Sequence, residues 1–213
     1  MKYLLALLFA LSALHAQDLP ADETKDLLAR LAAKRGSSGI QADFRDEKHL
    51  SLMQKPVIES GTVSFLPPDK FRREVKGGGL TVCDGQVLWL YYPQFQSAEK
   101  YALSANRTLR DSIHAMTAGL GLQDLTGAFD VKATKTSGGY ALTLAPKTSS
   151  LRKSFKSIQI DISDSLVARQ MEILATNGDR TVTTFSNEHP ANLTTADFQF
   201  TPPKGVAVSE PMK

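Results

Sequence analysis

Apolar and polar residues alternate with a period of two along most of the chain after Gly39, which is typical of strands with one buried face. The clearest alternating runs are 61–65, 71–75, 80–83, 87–92, 140–145, 158–162, 167–173 and 181–185. Asp84-Gly85 lies between two of these runs and is a strong signal for a hairpin turn. The pattern predicts roughly ten to eleven short strands in a sandwich or a barrel.

A helical pattern precedes the first strand. Asp22 can cap this helix, Leu27, Leu28 and Leu31 give it an apolar side, and Gly36 ends it. We therefore predict one N-terminal helix that packs on the sheet.

A second helical pattern interrupts the strands between Thr108 and about Leu125. The apolar positions at helical spacing are Leu109, Ile113, Met116, Leu120, Leu122 and Leu125. Gly119 and Gly121 lie within the segment and could act as hinges. Two interpretations stay open: a lid that moves over the sheet, or a helix that packs on the sheet permanently.

The first sixteen residues form a secretory signal peptide by pattern. Lys2 supplies a positive start, residues 4–14 are nearly all apolar, and Ala16 is a small residue at the cleavage point. The apolar stretch is too short to span a bilayer. We expect residues 1–16 to be removed and residues 17–213 to form one soluble domain in an exported compartment.

Charge and motifs exclude several classes of function. The net charge of +3 is too small to indicate a nucleic-acid partner. His49, His114 and His189 show no metal-ligand spacing, and no nucleophile-elbow or phosphate-loop motif is present. Gly77-Gly78-Gly79 lies between two strand patterns and is interpreted as a wide turn. We therefore expect no metal, no cofactor and no enzymatic activity.

Two further features have structural interpretations. Cys83 is the only cysteine, and no base or positive charge is adjacent to it, so we expect a buried thiol in a strand. Asp43, Asp46 and Glu47 form a group of acids, which we interpret as an exposed strand face.

Aromatic residues are concentrated in one stretch of about thirty residues of the predicted sheet. They are Phe65, Phe71, Trp89, Tyr91, Tyr92 and Phe95. Core packing explains some of them, but a curved sheet with a helical cover can also hold a hydrophobic ligand between the two layers.

Several short motifs, in a specific order, resemble those of one known family. The strongest is Asp84 to Pro93, which reads DGQVLWLYYP, and the second is Phe198 to Val206, which reads FQFTPPKGV. Weaker similarities are ADF at 42–44, GTVSF at 61–65, PDKFR at 68–72 and LAPK at 144–147. With these motifs, the chain resembles the LolA family of periplasmic outer-membrane lipoprotein carriers over nearly all of residues 17–213.

The resemblance implies a fold and a function. The fold would be mainly β (α+β): an unclosed, curved antiparallel β-barrel of about eleven strands, covered by the N-terminal helix and a central helical lid. The protein would be a monomeric periplasmic chaperone. Its partners would be acylated lipoproteins, an inner-membrane ABC-type exporter that loads it, and an outer-membrane receptor that accepts the cargo.

The residues that we expect to form an acyl-chain cavity come from strands and from the lid. They are Phe65, Phe71, Trp89, Tyr91, Ile113, Met116 and Leu120. Packing in an ordinary core is the alternative for each of them.

Two positions depart from the family pattern. Pro67 stands where carriers often have a basic residue that holds the lid, and Arg73 stands where many have a tryptophan. Lys70, Arg72 or Arg73 could replace the missing latch, or apolar contact alone could hold the lid.

Two other functions fit the same fold. One is a lipid-sensing regulatory module of the cell envelope, although such regulators carry a second domain for which this chain is too short. The other is a carrier of a different envelope lipid.

Overall fold

The computed structural model describes residues 17–105, 107–122 and 125–211, and the predicted signal peptide lies outside the described residues. One sheet of 13 strands dominates the structure. The strands are β1 (Gln17–Asp18), β2 (Gly39–His49), β3 (Val57–Leu66), β4 (Lys70–Val75), β5 (Leu80–Cys83), β6 (Val87–Tyr92), β7 (Ser97–Ala102), β8 (Phe129–Thr136), β9 (Gly139–Pro146), β10 (Phe155–Ser163), β11 (Ala168–Ala175), β12 (Arg180–Ala191) and β13 (Ala207–Ser209).

The sheet is curved but does not close into a barrel. Its order is β1-β8-β9-β10-β11-β12-β2-β3-β4-β5-β6-β7-β13, so β1 and β13 are the two edges. Every neighbouring pair is antiparallel except β13 and β7, which are parallel. The predicted unclosed antiparallel sheet is confirmed, and the two short edge strands account for the count above eleven.

The turn signals explain the register. In the predicted Asp84-Gly85 hairpin, Asp84 Oδ1 accepts hydrogen bonds from the backbone N–H groups of Gln86 and Val87 at 2.8 and 2.7 Å. Gly85 has a φ of 93°, which favours glycine. Gly77 to Gly79 form the turn between β4 and β5, as predicted.

The helices are α1 (Ala21–Arg35), α2 (Arg107–Gly121), α3 (Leu125–Ala128) and α4 (Ser149–Ser154), with 3₁₀ turns at Pro93–Phe95, Leu103–Ala105 and Thr195–Phe198. Pro20 occupies the N-cap position of α1, so the prediction that Asp22 caps this helix is wrong. Asp22 lies in the first turn instead, where its charge still suits the helix dipole.

A buried ion pair fastens the end of α1 to the sheet. Arg35 Nη1 and Nη2 donate to the two carboxylate oxygens of Glu188 at 2.6 and 3.0 Å. Both side chains are nearly inaccessible, at 4% and 8% exposure. Glu188 lies where the β12–β2 register shifts between Ser186 and His189.

Helix α2 packs on the concave face of the sheet and joins two buried apolar clusters. Ala115, Ala118 and Leu122 belong to the cluster that β8 to β11 and α1 form. Ile113 and Leu120 belong to the cluster that β2 to β6 form. The described helix is therefore part of the core, and the apolar inner face of the sheet depends on it for cover.

The C-terminal segment covers the opposite, convex face of β4 to β7. Phe200 packs against Trp89 and Tyr91 at ring-centroid distances of 5.6 and 5.3 Å. Phe198 is buried in the 3₁₀ turn that precedes it. Strand β6 therefore has apolar neighbours on both faces.

The Arg35–Glu188 pair should be among the strongest single contributions to stability. Replacing Glu188 with alanine leaves a buried guanidinium without its carboxylate, so Glu188→Ala should lower the free energy of unfolding by about 3–5 kcal/mol. Urea denaturation followed by circular dichroism measures this change.

The matched control is Glu172→Ala. Glu172 pairs with Arg180 at 2.7 Å, but the two side chains are 25% and 42% exposed. Its loss should change the free energy of unfolding by less than about 1 kcal/mol. Equal losses in the two variants would contradict a special role for the buried pair.

Candidate functional site

A cleft lies between the concave face of the sheet and α2. It measures about 290 Å³. Ligand pockets usually measure roughly 300–1,000 Å³, so the volume of the cleft is at the lower limit of this range. Its apolar lining consists of Phe44, Val63, Phe71, Met116, Leu120, Phe155, Met171, Ile173, Ala175 and Phe185. Its polar lining consists of Asp46, Lys48, Arg73, Thr117, Asp179, Thr181 and Thr183.

Strand alternation brings the wall of the cleft together. Phe44 on β2 pairs directly with Phe185 on β12, and Met171 on β11 pairs with Thr183 on β12. Because successive side chains point to opposite faces, these residues share the concave face.

Glycine lets α2 approach this wall closely. A Cβ atom on Gly119 would lie 3.0 Å from Cε2 of Phe185 and 3.4 Å from Cβ of Met171. A Cβ atom on Gly121 would lie 3.3 Å from Cζ of Phe65. Both glycines allow the helix to contact the sheet, and neither has a positive φ that requires glycine.

Charged side chains form a group at one end of the cleft. Arg73 Nη2 donates to Asp46 Oδ2 at 2.6 Å and lies 3.7 Å from Glu59 Oε2. Lys48 Nζ donates to the same Glu59 oxygen at 2.6 Å. The guanidinium carbon of Arg73 lies 3.8 Å from the centroid of the Phe44 ring, a cation–π contact.

Two effects oppose each other at Glu59. Burial raises the pKa of its carboxyl group, but the hydrogen bond and charge of Lys48, together with the charge of Arg73, outweigh burial and lower the pKa below its ordinary value. Glu59 therefore stays ionised at neutral pH.

The predicted cavity residues divide into three groups. Phe71, Met116 and Leu120 line the cleft together. Phe65 and Ile113 are buried in the neighbouring core cluster, at 4% and 6% exposure, and do not line it.

Trp89 and Tyr91 form the third group. They lie on the convex face of β6, against Phe200, and the structure does not bring them to the cleft. Leu88 and Leu90 are the residues of β6 that belong to the concave-face cluster.

The three basic residues considered as replacements for the latch make their closest ion pairs on the sheet or in the turn between β3 and β4. Lys70 pairs with Asp69 at 3.3 Å and Arg72 with Glu74 at 2.5 Å. Arg73 pairs with Asp46 at the charged end of the cleft. The contacts of α2 that fill the two core clusters are apolar.

Asp46 does not lie on an exposed acidic face, so the prediction from the sequence is wrong for this residue. Its residue exposure is 5% and it lines the cleft. The signal was present, because Asp46 follows Phe44 by two positions and therefore shares its face, whereas Asp43 lies on the opposite face. Phe44, Met171 and Phe185 were also missed, although each occupies an alternating position of a strand.

The predicted burial of Cys83 is confirmed, since it is 0% exposed. Burial raises the pKa of this thiol to about 11, and the carboxylates of Asp84 and Asp69 act in the same direction.

Two searches of the described residues were negative. Among residues 17–105, 107–122 and 125–211, no group of three or more His, Cys, Asp or Glu side chains could hold a metal ion. Within the same ranges, no helix has the length and apolar character needed to cross a bilayer.

Comparison with known proteins points to one family. A family model described as "Outer membrane lipoprotein carrier protein LolA" matches residues 35–201. Outer-membrane lipoprotein carrier proteins of Bordetella pertussis and Bordetella bronchiseptica are each 31% identical to the chain over 152 residues. That alignment covers 70% of this chain and 70% of each relative.

A solved structure supports the fold. An uncharacterized conserved protein from Thermus thermophilus superposes with a TM-score of 0.54 at 15% sequence identity, covering 88% of this chain and 99% of that chain. The family model and the two relatives show that the chain belongs to the LolA family. Carriers of this family are periplasmic, non-enzymatic binding proteins.

The cleft yields a prediction for apolar binding. Met116 is 52% exposed at the cleft, so Met116→Glu should leave the free energy of unfolding within about 0.5 kcal/mol of the original. A carboxylate beside a bound apolar molecule is unfavourable, so binding of N-phenyl-1-naphthylamine should weaken by about tenfold. Fluorescence titration measures the affinity.

The control is Ser112→Glu, on the same helix but outside the cleft lining. It introduces the same charge and should leave probe affinity unchanged. If both variants lose probe affinity equally, the loss results from an added charge anywhere on the helix and not from a charge in the cleft.

Proposed function

We propose that this LolA-family protein carries lipoproteins through the periplasm by shielding their acyl chains in the cleft between the sheet and α2. The observation that carries the proposal is this mainly apolar cleft, which lies on the concave face and is covered by one helix. The two Bordetella relatives are named as outer-membrane lipoprotein carriers, which supports the class of cargo.

The physical need for such a carrier is large. At ~0.8 kcal/mol for each buried methylene, one acyl chain of about 15 methylenes is disfavoured in water by roughly 12 kcal/mol. A lipoprotein with several chains therefore leaves a membrane only when it is expelled with energy and received in an apolar site.

The source of energy and the destination are further parts of the proposal. The sequence contains no phosphate-loop motif, so an inner-membrane ABC-type exporter would supply the energy for loading. The cargo would then pass to an outer-membrane receptor. The protein would act as a monomer and without catalysis.

The size of the cleft requires α2 to move. At about 290 Å³ the cleft is smaller than several acyl chains require. Of the seven residues predicted for the cavity, we retain Phe71, Met116 and Leu120 as first contacts. Phe65 and Ile113 would join them when α2 moves away from the sheet, because both lie in the core cluster that α2 completes. We leave Trp89 and Tyr91 out of the proposed site, because they lie on the convex face against Phe200.

An engineered disulfide tests this movement. Cβ atoms at positions 119 and 171 would lie 3.4 Å apart, close to the roughly 3.5–4.5 Å found in disulfides. The double variant Gly119→Cys, Met171→Cys should therefore lock α2 to β11 when oxidised. Cys83 is buried, and its thiol is poorly ionised, so it should not compete.

Locking should weaken binding of a triacylated lipopeptide by about tenfold or more, because the open state is no longer populated. Reduction with dithiothreitol should restore the affinity, so the reduced double variant is its own control. Isothermal titration calorimetry measures both states. Unchanged affinity after complete oxidation would contradict a mobile α2.

A further inference from the structure

The cleft has a charged end, and its position in the sheet is specific. Asp46 and Lys48 are on β2, Glu59 is on β3 and Arg73 is on β4. The register pairs Asp46 with Glu59 and with Thr183, two positions beyond the Phe44–Phe185 pair. The charged group therefore follows the apolar wall toward the ends of the strands, where hairpin turns at 50–56 and 176–179 begin.

The two cations of this group already have partners. Arg73 pairs with Asp46 and lies near Glu59, and Lys48 pairs with Glu59. Two positive and two negative side chains leave the group formally neutral. An anionic ligand would have to displace one of these carboxylates before it reached a free cation.

Asp46 differs from its three neighbours. Its residue exposure is 5%, the side chain itself is 8% exposed, and its Oδ1 atom receives no hydrogen bond from any described residue. Buried carboxylate oxygens in proteins are nearly always hydrogen-bonded, because an unpaired buried acceptor is unfavourable. Asp46 also lines the cleft, so the residue that carries this unpaired acceptor lies beside the apolar wall.

We propose that Asp46 accepts a hydrogen bond from an ammonium or other N–H group in the head of the acylated ligand, while the acyl chain lies against Phe71, Leu120 and Met171. The inference rests on the proposed carrier function and specifies the head that the carrier prefers. Hydrogen bonds between a cation and a carboxylate are about twice as strong as neutral ones, so an ammonium head should bind best.

Three amphiphiles with one chain length test this preference in the wild-type protein. Hexadecylamine, hexadecanol and palmitate differ in the head, and each is titrated into the protein with bound N-phenyl-1-naphthylamine to measure displacement of the probe. The amine should displace the probe at a concentration about tenfold lower than palmitate does. The protein's net charge of +3 would by itself favour palmitate through nonspecific attraction. A preference for the amine would therefore not come from the net charge.

A conservative variant identifies the residue. Asp46→Asn keeps the shape and removes the charge, so the advantage of the amine over palmitate, each measured against the same probe in the same variant, should fall to less than about twofold. The matched control is Asp43→Asn on the same strand, whose carboxylate accepts from Asn187 Nδ2 at 2.6 Å on the opposite face. It should leave the preference unchanged.

Two natural sources of an ammonium head can be separated in the same assay. One is a diacylated lipopeptide with a free amino terminus, and the other is phosphatidylethanolamine. Preference for the lipopeptide assigns the subsite to lipoprotein cargo, and preference for the phospholipid assigns the same chemistry to an envelope lipid.

The outcomes separate this inference from the carrier function. Absence of probe binding would overturn the carrier function and this inference with it. Probe binding with palmitate equal to or better than the amine would overturn the inference alone. An amine preference that persists in folded Asp46→Asn would also overturn it, and the wild-type comparison decides the matter if that variant does not fold.

Discussion

The apolar concave face of an unclosed sheet must be covered, and the rest of the structure depends on this requirement. A closed barrel would bury its own interior, but here β1 and β13 remain as separate edges. Helix α2 supplies the cover by contributing to both buried clusters. Because one helix joins the two halves of the core, moving it would expose a large apolar surface, as the proposed exchange of this cover for acyl chains requires.

The cleft follows from how this cover fits. Gly119 and Gly121 let the helix contact Phe185, Met171 and Phe65 directly. Met116, three residues before Gly119, is half-exposed in the lining of the cleft. Next to the apolar wall lies the ion pair of Asp46 and Arg73. The same cleft therefore has an apolar wall, which could hold methylene chains, and a polar end.

Much of the fold could be predicted from period-two alternation and turn signals. A strand that buries only one face alternates apolar and polar residues, and this pattern is visible within the strand's own sequence. Strand β6 shows the limit. Its sequence, VLWLYY, is apolar on both faces, so alternation separates Trp89 from Leu88 but does not reveal which face is concave. The answer depends on Phe200, more than a hundred residues away, which covers the convex face.

Asp46 shows the opposite case. Its face could be inferred from Phe44, yet its pairing with Arg73 depends on the β2–β3–β4 register, which a single sequence does not give. The role of Gly119 was similarly hidden, because a glycine that permits close packing and a glycine that acts as a hinge look alike in sequence. The pairing of Asp46 and the close packing at Gly119 are seen only in distances across the sheet.

The proposed carrier function requires acyl chains to bind on the concave face, under α2. Photocrosslinking in cells that produce the protein tests it most directly, with benzoylphenylalanine placed either at Met116 or at Phe95, two exposed apolar positions at 52% and 78% exposure. We expect adducts with acylated peptides, identified by mass spectrometry, from position 116 and none from position 95. Acylated adducts from position 95 alone would contradict it.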